Sequence, residues 1–221
     1  GGNGGTLDYV EAAGFEITGA SGDDTIIGAA GDDTITGLGV QDQISLVFGG
    51  NDLVRYYSTS GNLGADQTYD TVIGMNTGDS LSVLGFSDRD GDATRLMYEI
   101  ASGGNIKVAS GTELLVVTGN QLGSSGDLTQ DIATALDATF DLSGLDGRTP
   151  SAATGASGST NSSVLFAVQS NTNGYYWVGR YEDIGNDDTI VDATEIEVFA
   201  HVQSSNILEN LQSVKKLMLS K

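Results

Sequence analysis

At 221 residues the chain can bury one large core or two modest ones, and its 9 Lys plus Arg against 30 Asp plus Glu leave a formal charge of −21. Such a charge repels phosphate backbones and anionic lipid, so nucleic acid is not an expected partner; no stretch approaches the ~18 apolar residues of a membrane span, so membrane insertion is not expected either. The absence of Cys excludes disulfides and thiolate metal sites, and the single His201 excludes multi-histidine zinc centres, which leaves oxygen-liganded metals, calcium foremost. With 32 Gly and one Pro, collagen and proline-rich linkers are excluded and repeated tight turns are implied. Gly1 is preceded by no initiator Met and followed by no leader, so the chain reads as a piece of a longer protein.

An internal repeat dominates the amino end. Gly-Ala-Ser-Gly-Asp-Asp-Thr-Ile-Ile starts at Gly19, Gly-Ala-Ala-Gly-Asp-Asp-Thr-Ile-Thr at Gly28, and a looser copy, Gly-Leu-Gly-Val-Gln-Asp-Gln-Ile-Ser, at Gly37. The period of nine keeps Asp24, Asp33 and Asp42 in one phase and Ile17, Ile26, Ile35 and Ile44 in another. Each unit divides into a turn and a short extended piece whose middle Ile points inward. Two units then make one coil, which stacks Asp24 over Asp42 on one side at a strand spacing of about 4.8 Å. The opposite side receives Asp33, the degenerate turn Val10–Phe15, and Gly49-Gly50-Asn51-Asp52. Stacked carboxylates so close repel unless a cation lies between them, and calcium takes carboxylate and carbonyl oxygens together.

This text resembles the RTX nonapeptide GGxGxDxUx, a calcium-binding β-roll repeat. The resemblance implies a metal site built from Gly19, Ser21, Gly22, Asp24, Gly28, Ala30, Gly31, Asp33, Gly37, Gly39, Asp42 and Asp52, with one to three calcium ions. Thr6 and Phe15 stand where the turn aspartate belongs and Val40 where the second turn glycine belongs, so only the turns ending at Asp24 and Asp33 are complete. A Gly-Asp turn repeat without metal is the alternative.

The middle reads as β structure. Thr71–Ile73 and Ser80–Leu84 alternate around the turn Asn76–Asp79, and this stretch is similar to the capping segment of type I secreted RTX proteins; an ordinary β-hairpin is the alternative. Leu96–Ile100 and Ile106–Ala109 flank Ser102-Gly103-Gly104-Asn105, a hairpin signal, and Glu113–Thr118 adds a strand. Leu128, Ile132 and Leu136 recur every four residues after Asp127, which predicts a capped helix near 128–138 with Phe140 continuing its face. Gly144–Ser163 reads as a loop or linker, and Val164–Val168, Tyr175–Arg180 and Glu195–Val202 read as strands. The tail, with Tyr175-Tyr176-Trp177-Val178 and Glu195-Ile196, is similar to a terminal module of surface-layer and other type I secreted proteins, which implies an export signal near the end, including Asn206–Ser220. The expected class is therefore mostly all-β, a parallel β-roll followed by β-sandwich-like strands with one short helix. The expected divisions are a roll at 1–54, a β-rich cap at 55–143, a linker at 144–163 and a small β module at 164–221.

Other candidates are weaker. Asp88-Arg89-Asp90-Gly91-Asp92 with Glu99 places acids as an EF-hand does, but Ala93 and Arg95 break that pattern. Asp183–Asp192 is an acidic turn that echoes the nonapeptide. Tyr175–Trp177 offers aromatic rings suited to a sugar, and His201 lies among apolar residues without a nucleophile or orienting partner. No nucleophile elbow, P-loop or dinucleotide fingerprint occurs. The expectation is a non-catalytic, calcium-binding folding and secretion module of an extracellular surface protein. Its expected partners are calcium ions, the type I secretion machinery, and further copies of itself or cell-surface polysaccharide. The alternatives are the accessory tail of a secreted hydrolase or protease, or a glycan-binding adhesin module.

Overall fold

The short Thr-Ile and Gln-Ile segments between glycine turns fold as strands: β1 (Thr6–Asp8), β2 (Glu16–Thr18), β3 (Thr25–Ile27), β4 (Thr34–Thr36), β5 (Gln43–Ser45), β6 (Leu53–Tyr57), β7 (Asp70–Met75) and β8 (Ser80–Leu84). The computed structural model describes residues 6–8, 13–57, 69–84, 98–109, 112–119, 122–142, 163–182 and 191–211. Odd strands stack in parallel in one sheet and even strands in another, so the chain winds as a two-sided roll. Within it Ile26 lies opposite Ile44 and Ile44 opposite Val72, while Ile17 lies opposite Ile35 and Ile35 opposite Val54. Strand alternation turns these middle side chains inward, and all of them are buried.

The eighteen-residue coil holds from Thr25 to Gln43 and from Glu16 to Thr34. Leu7, not Asp8, lies opposite Ile26, so one extra residue sits between β1 and β3 relative to the nine-residue phase. The roll also continues past residue 54. Thr71–Ile73 and Ser80–Leu84 do form strands, but β7 and β8 pair with β5 and β6 rather than with each other, and make a further coil instead of a hairpin. The turn between them, with Gly78 at φ 101 and Asp79 N–H on the Asn76 carbonyl (3.1 Å), carries the chain across the thickness of the roll.

Beyond β7 the same sheet runs on. Its order is β1-β3-β5-β7, then β15 (Ile196–Ser204), β14 (Tyr175–Glu182), β13 (Ser163–Gln169), β11 (Leu114–Val117) and β9 (Tyr98–Ala101). Only β14 runs antiparallel to its neighbours among these nine. The hairpin expected around Ser102–Asn105 does not form: β9 pairs with β11, whereas β10 (Ile106–Lys107) pairs with β12 (Phe140–Asp141). Positive φ at Gly103, Gly104 and Asn105 in succession opens the turn into an arch that moves the chain to another sheet.

Helix α1 (Leu128–Thr139) is capped by Asp127, whose carboxylate accepts from the Gln130 N–H at 3.1 Å. Phe140 starts β12 instead of continuing the helix. Ile132 and Leu136 bury against Leu115, Phe166, Val168 and Trp177, which make a core on one face of the long sheet. The other face continues the interior of the roll through Val202, Val178 and Leu165, and Ile207 and Leu211 of the helical residues 207–211 pack against it. The described residues are thus mostly β, with parallel sheets, the short twelve-residue helix α1 and the helical residues 207–211. Among the described residues no helix is long and apolar enough to cross a membrane. The acidic segment at Asp88–Asp92 lies outside the described residues, as do nearly all of the 144–163 linker, residues 183–190 of the second acidic turn and residues 212–221.

Candidate metal centre

From β3 to β8 each turn ends on an aspartate, and the register stacks these residues into two ladders. On one edge the Asp24 N–H donates to Asp42 Oδ1 (2.9 Å) and the Asp42 N–H donates to Asp70 Oδ1 (3.0 Å). On the other, Phe15 N–H donates to Asp33 Oδ1 (2.8 Å), Asp33 N–H to Asp52 Oδ1 (2.9 Å) and Asp52 N–H to Asp79 Oδ1 (2.9 Å). All six aspartates are buried. Their second oxygens divide them. Asp33 and Asp79 each accept a further N–H from their own turn, from Ala29 (2.5 Å) and Asn76 (2.7 Å), and Asp24 likewise accepts from Ala20 in its turn (2.5 Å). Asp42 Oδ2 and Asp52 Oδ2 are buried and have no hydrogen-bond partner.

A buried, unpartnered carboxylate oxygen is costly, and the titration of the ladders reflects it. Burial pushes the Asp52 carboxyl up to about 7, helped by the charges of Asp79, Asp33 and Asp32 and opposed by the Asp33 N–H. Burial likewise raises Asp70 to about 7, with Asp42 adding repulsion while the Asp42 N–H and the Tyr56 hydroxyl oppose it. Asp42 and Asp79 are also shifted upward, chiefly by burial. In all four, burial disfavours the ionised form.

Backbone carbonyl oxygens lie near the Oδ1 side of these two carboxylates, the side that accepts the ladder N–H. A Cβ on Gly39 would stand 2.7 Å from the Gly22 carbonyl oxygen and 3.3 Å from both Ala20 O and Asp42 Oδ1. On the opposite edge a Cβ on Gly50 would run into the Gly31 carbonyl and lie 3.0 Å from Asp52 Oδ1. Gly37 packs so tightly on Asp42 Oδ2 that any side chain there would collide with it. Carbonyl and carboxylate oxygens from successive turns are the donor set of a hard cation, and calcium accepts such a mixture. Among the described residues no group of three or more Asp, Glu or His side chains converges, so a cation here depends on main-chain carbonyls for most of its ligands.

Of the residues proposed from the repeat, the structure brings together Gly22, Gly39 and Asp42 on one edge and Gly31 and Asp52 on the other, where Gly50, not among those proposed, joins them. Gly19 and Gly28 lie beside the Asp24 and Asp33 carboxylates and also tie the coil together, donating N–H to the Thr36 and Ser45 carbonyls at 2.9 Å each. Ser21 and Ala30 are exposed on the turns. Two ladder members, Asp70 and Asp79, were missed. They stand nine apart, and Asp70-Thr71-Val72-Ile73 and Asp79-Ser80-Leu81-Ser82 share the form of Asp24-Thr25-Ile26-Ile27, a signal masked by the long insertion after β6.

A second cluster lies on the outer face of the long sheet. Trp177 stacks on His201 at 4.0 Å and 16°, Tyr175 tilts against His201 at 4.9 Å, and Tyr69 meets Trp177 edge-on at 4.6 Å. The chain matches no family model, and no curated protein or solved structure is similar to it at a significant level.

Proposed function

We propose that the chain is a calcium-dependent, non-catalytic folding and secretion module of an extracellular bacterial surface protein of the RTX kind. The observation that carries this reading is the pair of buried carboxylate oxygens, Asp42 Oδ2 and Asp52 Oδ2, left without hydrogen-bond partners on carboxylates whose other oxygens lie near turn carbonyls. Asp42 with the Ala20 and Gly22 carbonyls, and Asp52 with the Gly31 carbonyl, would hold the ions. Calcium supplies the positive charge that makes stacked, buried carboxylates tolerable. Binding free energy then becomes folding free energy, so once the ladder carboxylates ionise the roll loses stability and becomes disordered where calcium is scarce, whereas it folds where calcium is plentiful; at lower pH, protons on the ladders stand in for the metal. An unfolded chain inside the cell and a folded one outside suit export through a narrow conduit.

A specific observation favours a second reading, a metal-free solenoid scaffold: both oxygens of Asp33 are satisfied by backbone N–H groups. One experiment separates the two. Circular dichroism and light scattering follow the chelated protein through titration with calcium and with magnesium, beside Asp42→Ala/Asp52→Ala. A gain of β signal with calcium alone, lost in the double variant, supports the module, and a rise in scattering adds assembly. Full β structure in chelator with no calcium response refutes it and leaves the scaffold.

A further inference from the structure

In the roll, each turn-ending aspartate also spends its main-chain carbonyl on the next coil. The Asp24 carbonyl accepts the N–H of Gln43 (2.8 Å), Asp33 that of Leu53 (2.7 Å), Asp42 that of Thr71 (2.8 Å) and Asp52 that of Ser80 (2.7 Å), each donor lying near the start of the strand one coil later. Asp79 ends the turn before β8, and among the described residues no later strand follows β8 in its sheet to supply the next donor. The side chain of Asn210 supplies it: Asn210 Nδ2 donates to the Asp79 carbonyl and to the Asn76 carbonyl, at 2.8 Å each. A side-chain amide suits this double role because its nitrogen carries two protons. Ser204 fixes the amide from the other side, its hydroxyl donating to Asn210 Oδ1 at 2.6 Å. Asn210 is fully buried, so these bonds form away from water, where an unpaired carbonyl is costly.

The segment that carries Asn210 depends on its dock. Asn206 caps the helical residues 207–211: its Oδ1 accepts from the Glu209 N–H at 3.4 Å, and its Nδ2 donates to Glu209 Oε2 at 2.9 Å. A helix this short is marginal by itself. Ile207 and Leu211, four apart, are buried in the core that runs through the roll, with Leu208 half-buried beside them and Glu209 exposed. The Ser205 N–H adds a bond to the Met75 carbonyl at 3.3 Å. Met75, Asn76 and Asp79 belong to the end of β7 and the turn into β8, so the segment grips the last coil of the roll at one place. That turn is also the end of a ladder, since Asp79 accepts the Asp52 N–H on Oδ1 and the Asn76 N–H on Oδ2. The dock therefore exists only while the last rung is in register.

We infer that residues 205–211 are a latch that stands in for a further coil at the end of the roll, so that this segment is held while the aspartate ladders are ordered and released when they are not. The inference rests on the metal-dependent reading of the roll and gives it a regulated output. Released, the latch presents Ile207, Leu208 and Leu211 to a partner with an apolar groove; docked, it keeps Ile207, Asn210 and Leu211 out of reach. Calcium thereby decides whether such a partner finds its segment.

Hydrogen exchange of the full chain, read by mass spectrometry at about pH 8 in calcium and in chelator, tests the latch, with residues 128–139 of α1 as the internal reference. The expected result is that residues 70–84 and 205–211 are protected together in calcium and lose protection together, by the same factor, in chelator. Asn210→Asp keeps the size of the side chain but removes both donors; in calcium it should speed exchange at 205–211 about tenfold, with residues 128–139 unchanged. If that variant loses the wild-type circular dichroism spectrum, Ile207→Ala, which leaves the amide contacts in place, decides instead with the same expectation. Protection of 205–211 that persists in chelator where 70–84 exchange freely, or unchanged exchange at 205–211 in the deciding variant, overturns the proposal. Undiminished protection of 70–84 in chelator is instead a failure of the metal-dependent reading, and the variant in calcium still decides the latch.

Discussion

Raising the pH of the chelated protein should destabilise it, and Asp70 sets the size of the effect. Its carboxyl titrates near 7 in the folded chain, against an ordinary value of 3.8. Between these limits the folded state holds about one proton more than the unfolded state. The stabilisation is therefore complete below pH 3.8 and is lost as the pH climbs to about 7. The slope for one such group is about −1.4 kcal/mol per pH unit. With an m-value of about 3 kcal/mol/M in urea, this lowers the unfolding midpoint by roughly 0.5 M per pH unit between pH 5 and 6. Asp52, raised to about 7, acts in the same direction, as do Asp42 and Asp79. The assay is urea unfolding in chelator from pH 5 to 8, followed by far-ultraviolet circular dichroism. Asp70→Asn isolates the group from the general repulsion of an acidic chain: its slope should be shallower by about 1.4 kcal/mol per pH unit, and at pH 8 it should outlast the wild type. A midpoint that rises or stays level between pH 5 and 7, or a slope unchanged in Asp70→Asn, would refute the assignment of buried, proton-hungry ladders.

Three further outcomes follow from individual contacts. Gly37→Ala drives a methyl into Asp42 Oδ2, so the number of calcium ions counted by equilibrium dialysis should fall; an unchanged count removes the ion from beside Asp42. Ile35→Ala empties a fully buried position between the two sheets of the roll and should cost about 2–5 kcal/mol in urea unfolding at saturating calcium. Asn210→Ala deletes an amide that donates at 2.8 Å to both the Asn76 and Asp79 carbonyls, next to the last rung of a ladder. A loss of about 1–3 kcal/mol is expected, together with earlier hydrogen exchange at β8 than at α1.

The roll was readable from sequence because its grammar is local: a strand of three, a turn of six, and an inward Ile every nine residues leave little freedom of register. The helix was readable for the same reason, with Asp127 as its cap and apolar residues four apart. What stayed hidden was pairing. Thr71–Ile73 and Ser80–Leu84 look like hairpin arms, because a turn signal says that the chain reverses but not in which direction it leaves, and an arch between sheets uses the same Gly and Asn residues. The union of the roll with the later strands was equally hidden, since β15 pairs with β7 through residues such as Val202 and Val72 that nothing nearby connects. At the candidate site, the repeat identified Asp42 and Asp52. It could not tell that the imperfect turns, not the complete ones, keep the spare oxygens, because that depends on which backbone N–H each turn can aim inward.

The order of strands in the long sheet has a kinetic consequence. The strand that joins the roll to β14, β13, β11 and β9 is the last described one, β15, inserted between β7 and β14. Until residues 196–204 are available, the two halves share no backbone hydrogen bonds through this sheet, and closing it brings together residues as distant as Val72 and Val202. Loop-closure entropy makes such a step slow and late. During synthesis, therefore, this sheet cannot close until residues 196–204 have left the ribosome.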